Sequence, residues 1–318
     1  MGHGHSHVDP AAGDRRVALA ILVNLALTVA QFAGGLLSGS LALIADALHN
    51  LSDAMALIIA FGARRIARRP ADETMTFGYG RAEVVAALVN YTTLIVIGLY
   101  LIWEGIARLL DPQGVDGWLV VVIAGVALVI DLVTAWLTFA LSKSSVNIRA
   151  AFLHNLADAA GSVAVIVAGT LILLYDWRLI DPLVTLGIAG YILWMSFAEI
   201  GGVIRILMLG GPPGIAPAEA IAALRAVPGV ADVHHAHLWA MQEHEPALDA
   251  HLVIEAGRWE EAGAIKAAAR AALAGLGIGH TTLETERADE VCYDARLFGH
   301  GERAEAHGHG HADGHAHG

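Results

Sequence analysis

The chain has 318 residues, 56% hydrophobic and only 16% charged, a balance too apolar for a soluble protein of this size and one that points to a membrane protein. The net charge of −12 is uneven: residues 1–209 hold 15 acidic and 12 basic side chains and residues 210–318 hold 16 and 7, which argues against nucleic-acid binding and suits cations. The single cysteine, Cys292, excludes a disulfide framework and a thiolate-rich metal site within one chain, whereas 17 histidines are a large excess.

The N-terminus, residues 1–14, is a tail bearing His3, His5 and His7, with no short apolar core followed by a small-residue cleavage site, so no cleavable signal is expected. A hydrocarbon core of about 30 Å needs roughly 20 apolar helical residues. Six stretches fit, about 17–37, 41–63, 84–109, 117–141, 148–174 and 181–207, within a membrane domain of residues 15–209. The short link Ser38-Gly39-Ser40 predicts a tight antiparallel hairpin of the first two. Arg15, Arg16, Arg64, Arg65, Arg68, Arg69, Arg81, Lys143, Arg149 and Arg205 fall on one side, and only Arg108 and Arg178 on the other. The positive-inside rule makes the first side cytoplasmic, with both termini there. A short chain of bacterial style suggests the inner membrane.

After the linker Gly210-Gly211-Pro212-Pro213-Gly214 the pattern changes. A helix is expected at about 217–226, strands at about 231–241 and 247–256, a helix at about 259–274 and a strand at about 280–287. The order αββαβ suits a small cytoplasmic α+β domain, residues 210–290, with helices on one face of a sheet. Residues 291–318 are a second His-rich tail, with His307, His309, His311, His315 and His317; both tails suit weak, exchangeable metal capture.

The second membrane stretch contains His49 and Asp53, and the fifth contains His154 and Asp158. Each pair is His-x-x-x-Asp, which places an imidazole and a carboxylate one turn apart on the same helix face. Two such helices side by side supply two nitrogens and two oxygens, a tetrahedral set suited to Zn²⁺. A lone buried histidine often does no more than hydrogen-bond a neighbouring helix. Two matched pairs are another matter, since each aspartate deep in the membrane costs roughly 2.5–3.5 kcal/mol unless a cation or proton compensates. A ligating histidine must be neutral and a ligating carboxylate ionised, so metal binding expels protons and protonation expels metal. Asp46 shares roughly the face of His49; it is a fifth ligand, a partner orienting His49, or a group pairing another helix, the last two being favoured. Asn90 and Asp131 suit helix–helix hydrogen bonding, and Asp131 alternatively a proton relay.

These segments resemble the cation diffusion facilitator family. Ser40-Leu41-Ala42-Leu43-Ile44-Ala45-Asp46-Ala47-Leu48-His49 followed by Asp53 is similar to its second-helix motif, and Phe77-Gly78-Tyr79-Gly80-Arg81-Ala82-Glu83 to its entry into helix three. His154 to Ser162 resembles its fifth-helix motif, and Pro228-Gly229-Val230 to Trp239 the opening of its cytoplasmic domain. The resemblance spans about 15–290 and implies a homodimer in the lipid bilayer, a ferredoxin-like cytoplasmic domain that dimerises and binds regulatory metal, and proton-driven efflux. His49, Asp53, His154 and Asp158 match the transport site, and a histidine in both pairs is similar to the zinc-preferring members; Cd²⁺ and Co²⁺ are further candidate cargoes. His234, His251 and Glu286 match positions that often bind metal, with Glu284 and His280 nearby. They lie on consecutive strands, so they can converge, although exposed strand histidines are the simpler alternative. His237 and Trp239 fit packing or a dimer contact, and His235 and His244 are expected to face solvent. Two departures stand out. Some members bind metal in the loop between helices two and three; here Asp72 matches, but Met75 and Tyr79 replace the histidines, so that site is expected to be absent. Some members also carry an acidic residue after helix six, where this chain has Leu209-Gly210-Gly211.

The sequence therefore suggests export of Zn²⁺ from the cytoplasm in exchange for protons. The alternative is a membrane-embedded zinc sensor that binds without transport. An enzyme is disfavoured, because a catalytic zinc keeps an open position and four protein ligands leave none. ATP drive lacks its Gly-x-x-x-x-Gly-Lys-Ser/Thr loop.

Overall fold

The structure, a computed structural model, describes residues 25–142, 146–242, 245–292 and 296–298; the side chains at 57, 137–142, 146–152 and 154 are outside that description. All of residues 1–14, the tail histidines His307, His309, His311, His315 and His317, and Arg15, Arg16, Lys143 and His244 thus lie outside the described residues, as do the side chains of Arg149 and His154. The chain divides into two compact units, Met1–Ile204 and Arg205–Gly318.

The first unit is helical. Its described elements are α1 (Leu25–Ser38), α2 (Leu41–Ala67), α3 (Ala82–Leu110), α4 (Gly117–Ser142), α5 (Val146–Tyr175) and α6 (Ile180–Leu207). Helices α2 to α6 are each long and apolar enough to cross a membrane, and the described part of α1 is shorter. Helix α2 is the axis of the unit. Leu41 and Ala45 pack with Leu94 and Leu101 of α3 and with Ala189 and Ile192 of α6. Ala42 and Leu43 pack with Val120 and Ala124 of α4 and Val165 of α5. The small side chains of Ala42, Ala45 and Ala47 are fully buried, which lets neighbours approach from both flanks. The surrounding helices turn large apolar side chains outward, among them Val96, Val126, Leu173 and Phe197, as a surface facing lipid requires.

The N-terminus of α2 is clipped in place. Ser40 caps it, its Oγ accepting from the Leu43 amide at 3.1 Å. The same hydroxyl donates to Asp181 in the first turn of α6, and the Leu41 amide donates to the other oxygen of that carboxylate at 2.7 Å. Asp181, 1% exposed, thus meets the positive end of the α2 dipole. The turn before it needs Gly39, which sits at φ 75° with its carbonyl accepting from Arg108 Nη1 at 2.6 Å. A Cβ there would stand 2.6 Å from the carbonyl oxygen of Gly114. Helices α4 and α5 cross as closely, since a Cβ on Gly117 would lie 2.6 Å from the Gly169 carbonyl oxygen.

In the loop after α2, Asp72 accepts from the Thr74 and Met75 amides, the Thr74 hydroxyl and the Tyr79 hydroxyl. Those bonds, the Tyr79 hydroxyl first, hold its carboxyl well below the usual carboxylate range. The carboxylate shapes its own loop.

The second unit is the αββαβ arrangement. It comprises α7 (Pro217–Arg225), β1 (Val230–Gln242), β2 (Glu245–Ile254), a 3₁₀ turn (Trp259–Glu261), α8 (Ala262–Gly275) and β3 (His280–Arg287). The sheet order is β1-β2-β3, antiparallel between the first pair and parallel between the second. Ile221 and Leu224 of α7 and Ile265, Ala269 and Leu273 of α8 form one core with Val233, Leu248, Leu252, Ile254 and Leu283 of the strands. Strand alternation then turns His251, Glu284 and Glu286 to the face away from the helices.

The clip on α2 predicts a ranking. Ser40→Ala removes a cap, worth about 1 kcal/mol. Asp181→Ala strands several buried donors and is expected to cost more, about 1–3 kcal/mol for the desolvated groups. Thermal unfolding of the detergent-solubilised protein should order wild type, Ser40→Ala and Asp181→Ala in falling midpoint; equal midpoints would mean that α2 is held by packing alone.

Candidate metal centres

In the membrane unit, His49 and Asp53 lie one turn apart on α2, and Asp158 reaches them from α5. His49 Nε2 is 3.4 Å from Asp158 Oδ1 and 3.7 Å from Asp53 Oδ2. Donor atoms of the three lie within 4.8 Å of one another. A tetrahedral ion with bonds of about 2.0–2.1 Å holds neighbouring ligand atoms about 3.3–3.4 Å apart, so the spacing suits a small divalent cation. His49 is 6% exposed and packs edge-on against Tyr191 of α6, which shields the imidazole. His154 stands on α5 one turn before Asp158; its side chain lies outside the described residues.

The other polar groups of this region sort by partner. Asp46 belongs to a bond between helices: its Oδ2 accepts from Gln31 Nε2 of α1 at 2.6 Å. Asn50 Nδ2 donates to Gln31 Oε1 at 3.1 Å, closing a buried chain of three side chains. Gly161 of α5 leaves room for it, since a Cβ there would stand 3.3 Å from Asp46 Oδ1. Asp131 of α4 accepts from Ser162 Oγ of α5 at 3.0 Å. Neither Gln31 nor Asp181 stood out in the sequence, because a single polar residue in an apolar run carries no periodic signal.

The second unit holds another cluster. His234 and His251 face each other across β1 and β2, and Glu284 is the register partner of His251 on β3. Glu286 Oε1 lies 2.6 Å from His251 Nδ1, and its Oε2 lies 3.2 Å from His234 Nε2. His251 Nε2 lies 3.3 Å from Glu284 Oε2. His234, His251 and Glu286 are thus brought together. His280 starts β3, level with Ala247 rather than with His251.

Two further residues join them. His235, expected to face solvent, is half-buried, with its ring 5.2 Å from that of His234 and 5.0 Å from that of His251. The cause is backbone: His235 sits at φ 46° and the β1–β2 register slips between His234 and His237, so simple alternation fails there. Cys292 arrives on the segment after β3. Its Sγ donates to Glu286 Oε1 at 3.0 Å and lies 3.6 Å from His251 Nδ1, and its amide donates to Glu286 Oε2. That segment then runs beside β1, the His235 and Ala236 amides donating to the carbonyls of Arg296 and Leu297. Burial pushes the Glu286 carboxyl up, but the Cys292 thiol, the His251 ring, the Cys292 amide and His234 outweigh it and hold the group below the usual carboxylate range. The bond to Glu286, with burial and Glu284 adding to it, pushes the Cys292 thiol up.

Comparison with known proteins adds an independent line. Residues 17–208 match the family model described as cation efflux transmembrane domain, and residues 212–287 the one described as cation efflux protein, cytoplasmic domain. The zinc transporter ZitB of Pectobacterium atrosepticum is 38% identical over 257 residues, 79% of this chain and 78% of that protein. The metal cation efflux system protein CzcD of Cupriavidus metallidurans is 34% identical, covering 80% of each chain. A Bacillus subtilis protein named as a cadmium, cobalt and zinc/H(+)-K(+) antiporter is 34% identical over 80% of this chain and 82% of its own.

The buried chain in the membrane unit predicts that Gln31→Leu lowers the unfolding midpoint in detergent more than Asn50→Leu does. The first takes the amide donor from a carboxylate, at about 1–3 kcal/mol, and the second only from a neutral group. The reverse order would show that Asp46 does not depend on Gln31.

Proposed function

The chain belongs to the cation diffusion facilitator, or cation efflux, family, and we propose that it carries Zn²⁺ out of the cytoplasm in exchange for protons through His49, Asp53, His154 and Asp158. It is a multi-pass membrane protein with a cytoplasmic domain. The convergence of His49, Asp53 and Asp158 from two helices carries the reading. Imidazole and carboxylate donors suit Zn²⁺, and the names of the relatives extend the candidate cargo to Cd²⁺ and Co²⁺. Exchange follows from the ligands. Each must shed or lack a proton to hold the cation, so protons arriving from the far side release it. The Lys and Arg distribution supports both termini in the cytoplasm, and a bacterial inner membrane suits relatives of this kind. The match to the cytoplasmic-domain model supports a homodimer, with His234, His251 and Glu286 as a regulatory metal site.

Reconstitution into liposomes with a zinc dye inside and an imposed pH gradient tests the reading. Zinc flux should follow the gradient and fall to the protein-free background in Asp53→Ala, Asp158→Ala and His154→Ala. Acidifying the side from which zinc is loaded should slow wild-type flux, because protons compete for the same atoms. Zinc binding to folded wild type without flux would replace the transporter with a sensor.

A further inference from the structure

The regulatory site named above rests on His234, His251 and Glu286, yet two further donors, His235 and Cys292, stand beside the same two histidines. Atoms of His234, His235, His251 and Cys292 lie within 4.8 Å of one another. We propose that these four form a mixed thiolate–imidazole site for a thiophilic divalent cation, with Cys292 as the ligand that sets its preference. The proposal deepens the reading of a regulatory metal site in this unit and rests on it.

The most telling residue is His234. It is 1% exposed, and neither ring nitrogen makes a hydrogen bond among the described residues. Its Nε2 lies 3.2 Å from Glu286 Oε2, an electrostatic contact off the line that a hydrogen bond requires. A buried polar ring left in that state costs free energy, and a cation taken by one nitrogen removes the cost. The second observation is the positive φ of His235, a conformation uncommon outside glycine, which brings this ring beside His234 and His251. The third is Cys292, which the chain folds back after β3 to within 3.6 Å of His251 Nδ1.

The partners of the ligands are also in place. Glu284 lies 3.3 Å from His251 Nε2, the position from which a carboxylate holds a metal-bound histidine in the tautomer that frees Nδ1. Glu286 Oε1 now accepts the Cys292 S–H and lies 2.6 Å from His251 Nδ1, a nitrogen that the cation would take over from it, while Oε2 contacts His234. On binding, the thiol proton leaves to solvent, the thiolate takes the cation, and Glu286 remains as the negative group beside a site of net positive charge. Tetrahedral bonds of about 2.0 Å to nitrogen and about 2.3 Å to sulfur place donors about 3.3–3.5 Å apart, so closure from a spacing within 4.8 Å needs a contraction of about 1.5 Å at most. One thiolate and three imidazoles favour Zn²⁺, Cd²⁺ or Co²⁺ over Mg²⁺, Ca²⁺ or Mn²⁺. Such an ion would tie the segment after β3 to strands β1 and β2.

The test uses Co²⁺ as probe on the full-length, detergent-solubilised chain carrying Asp53→Ala and Asp158→Ala, under reducing conditions. Thiolate bound to Co²⁺ gives a near-ultraviolet charge-transfer band that histidines and carboxylates do not, and this chain has one cysteine. The expected result is a band saturating at one Co²⁺ per chain, absent in Cys292→Ser, with Co²⁺ affinity at this site lowered by at least the about 10–100-fold that losing an outer-shell partner costs. Zn²⁺ should also slow alkylation of Cys292 in the otherwise unsubstituted chain, a reading that needs no cysteine variant. Co²⁺ bound in this unit with no such band, and no protection of Cys292, would overturn the thiolate site and leave the regulatory reading on His234, His251 and Glu286. No Co²⁺ bound beyond what a chain lacking His234 and His251 takes up would overturn both.

Discussion

A carboxylate inside hydrocarbon must be met by a cation, a proton or a hydrogen-bond donor, and α2 carries Asp46, His49, Asn50 and Asp53 within little more than two turns. No face of that helix can be given to lipid over those turns. The arrangement around it follows. Gln31 of α1 meets Asp46 and Asn50, Asp158 of α5 meets His49, and Tyr191 of α6 closes over the imidazole. Buried alanines between the polar positions let these neighbours come close enough to do so. The outer helices then supply the lipid-facing surface.

A helix at the centre of such a web needs a fixed height as well as a fixed face. A slip of one residue along the axis turns a side chain by about 100° and would carry His49 away from Asp158. Asp181 guards against that slip. It binds the first amides of α2 and the capping Ser40, joining the start of α6 to the start of α2 without occupying any position near the metal ligands. Gly39 and Arg108 fix the approach to the cap from the other side of the turn. The clip and the site are therefore separate devices on one helix, one setting register and the other using it.

Much of this was legible in the sequence because it is periodic. Apolar runs marked the helices, His-x-x-x-Asp pairs marked the face that converges, and the αββαβ order marked the second unit. What stayed hidden was aperiodic. Gln31 and Asp181 are isolated polar residues whose partners stand 15 and about 140 positions away. His235 was expected to face solvent, and its left-handed backbone at a slip in the β1–β2 register instead sets its ring beside His234 and His251. Cys292 lies past the last strand, where nothing in the composition says that the chain turns back toward β1. Asp46 had several readings from its spacing to His49; only the position of Gln31 on a different helix selects the bond between helices.

The two candidate centres differ in a way that suits the two different jobs proposed for them. The proposed membrane set divides between α2, with His49 and Asp53, and α5, with His154 and Asp158, so parting the helices would divide the proposed ligands evenly. Imidazole and carboxylate donors suit a cation such as Zn²⁺, and protons would compete for the same atoms. The second set is drawn from two hydrogen-bonded strands of one sheet and from a segment bonded to Glu286 and to β1. Among the described residues its frame is one hydrogen-bonded sheet and the segment beside it, and the proposed thiolate would strengthen its hold on the same ions. A site that must let go is built across a joint and from ligands that protonate readily. One proposed to report concentration can sit within a single sheet and would gain from a softer ligand. The distribution of histidine, carboxylate and cysteine between the two units follows that division.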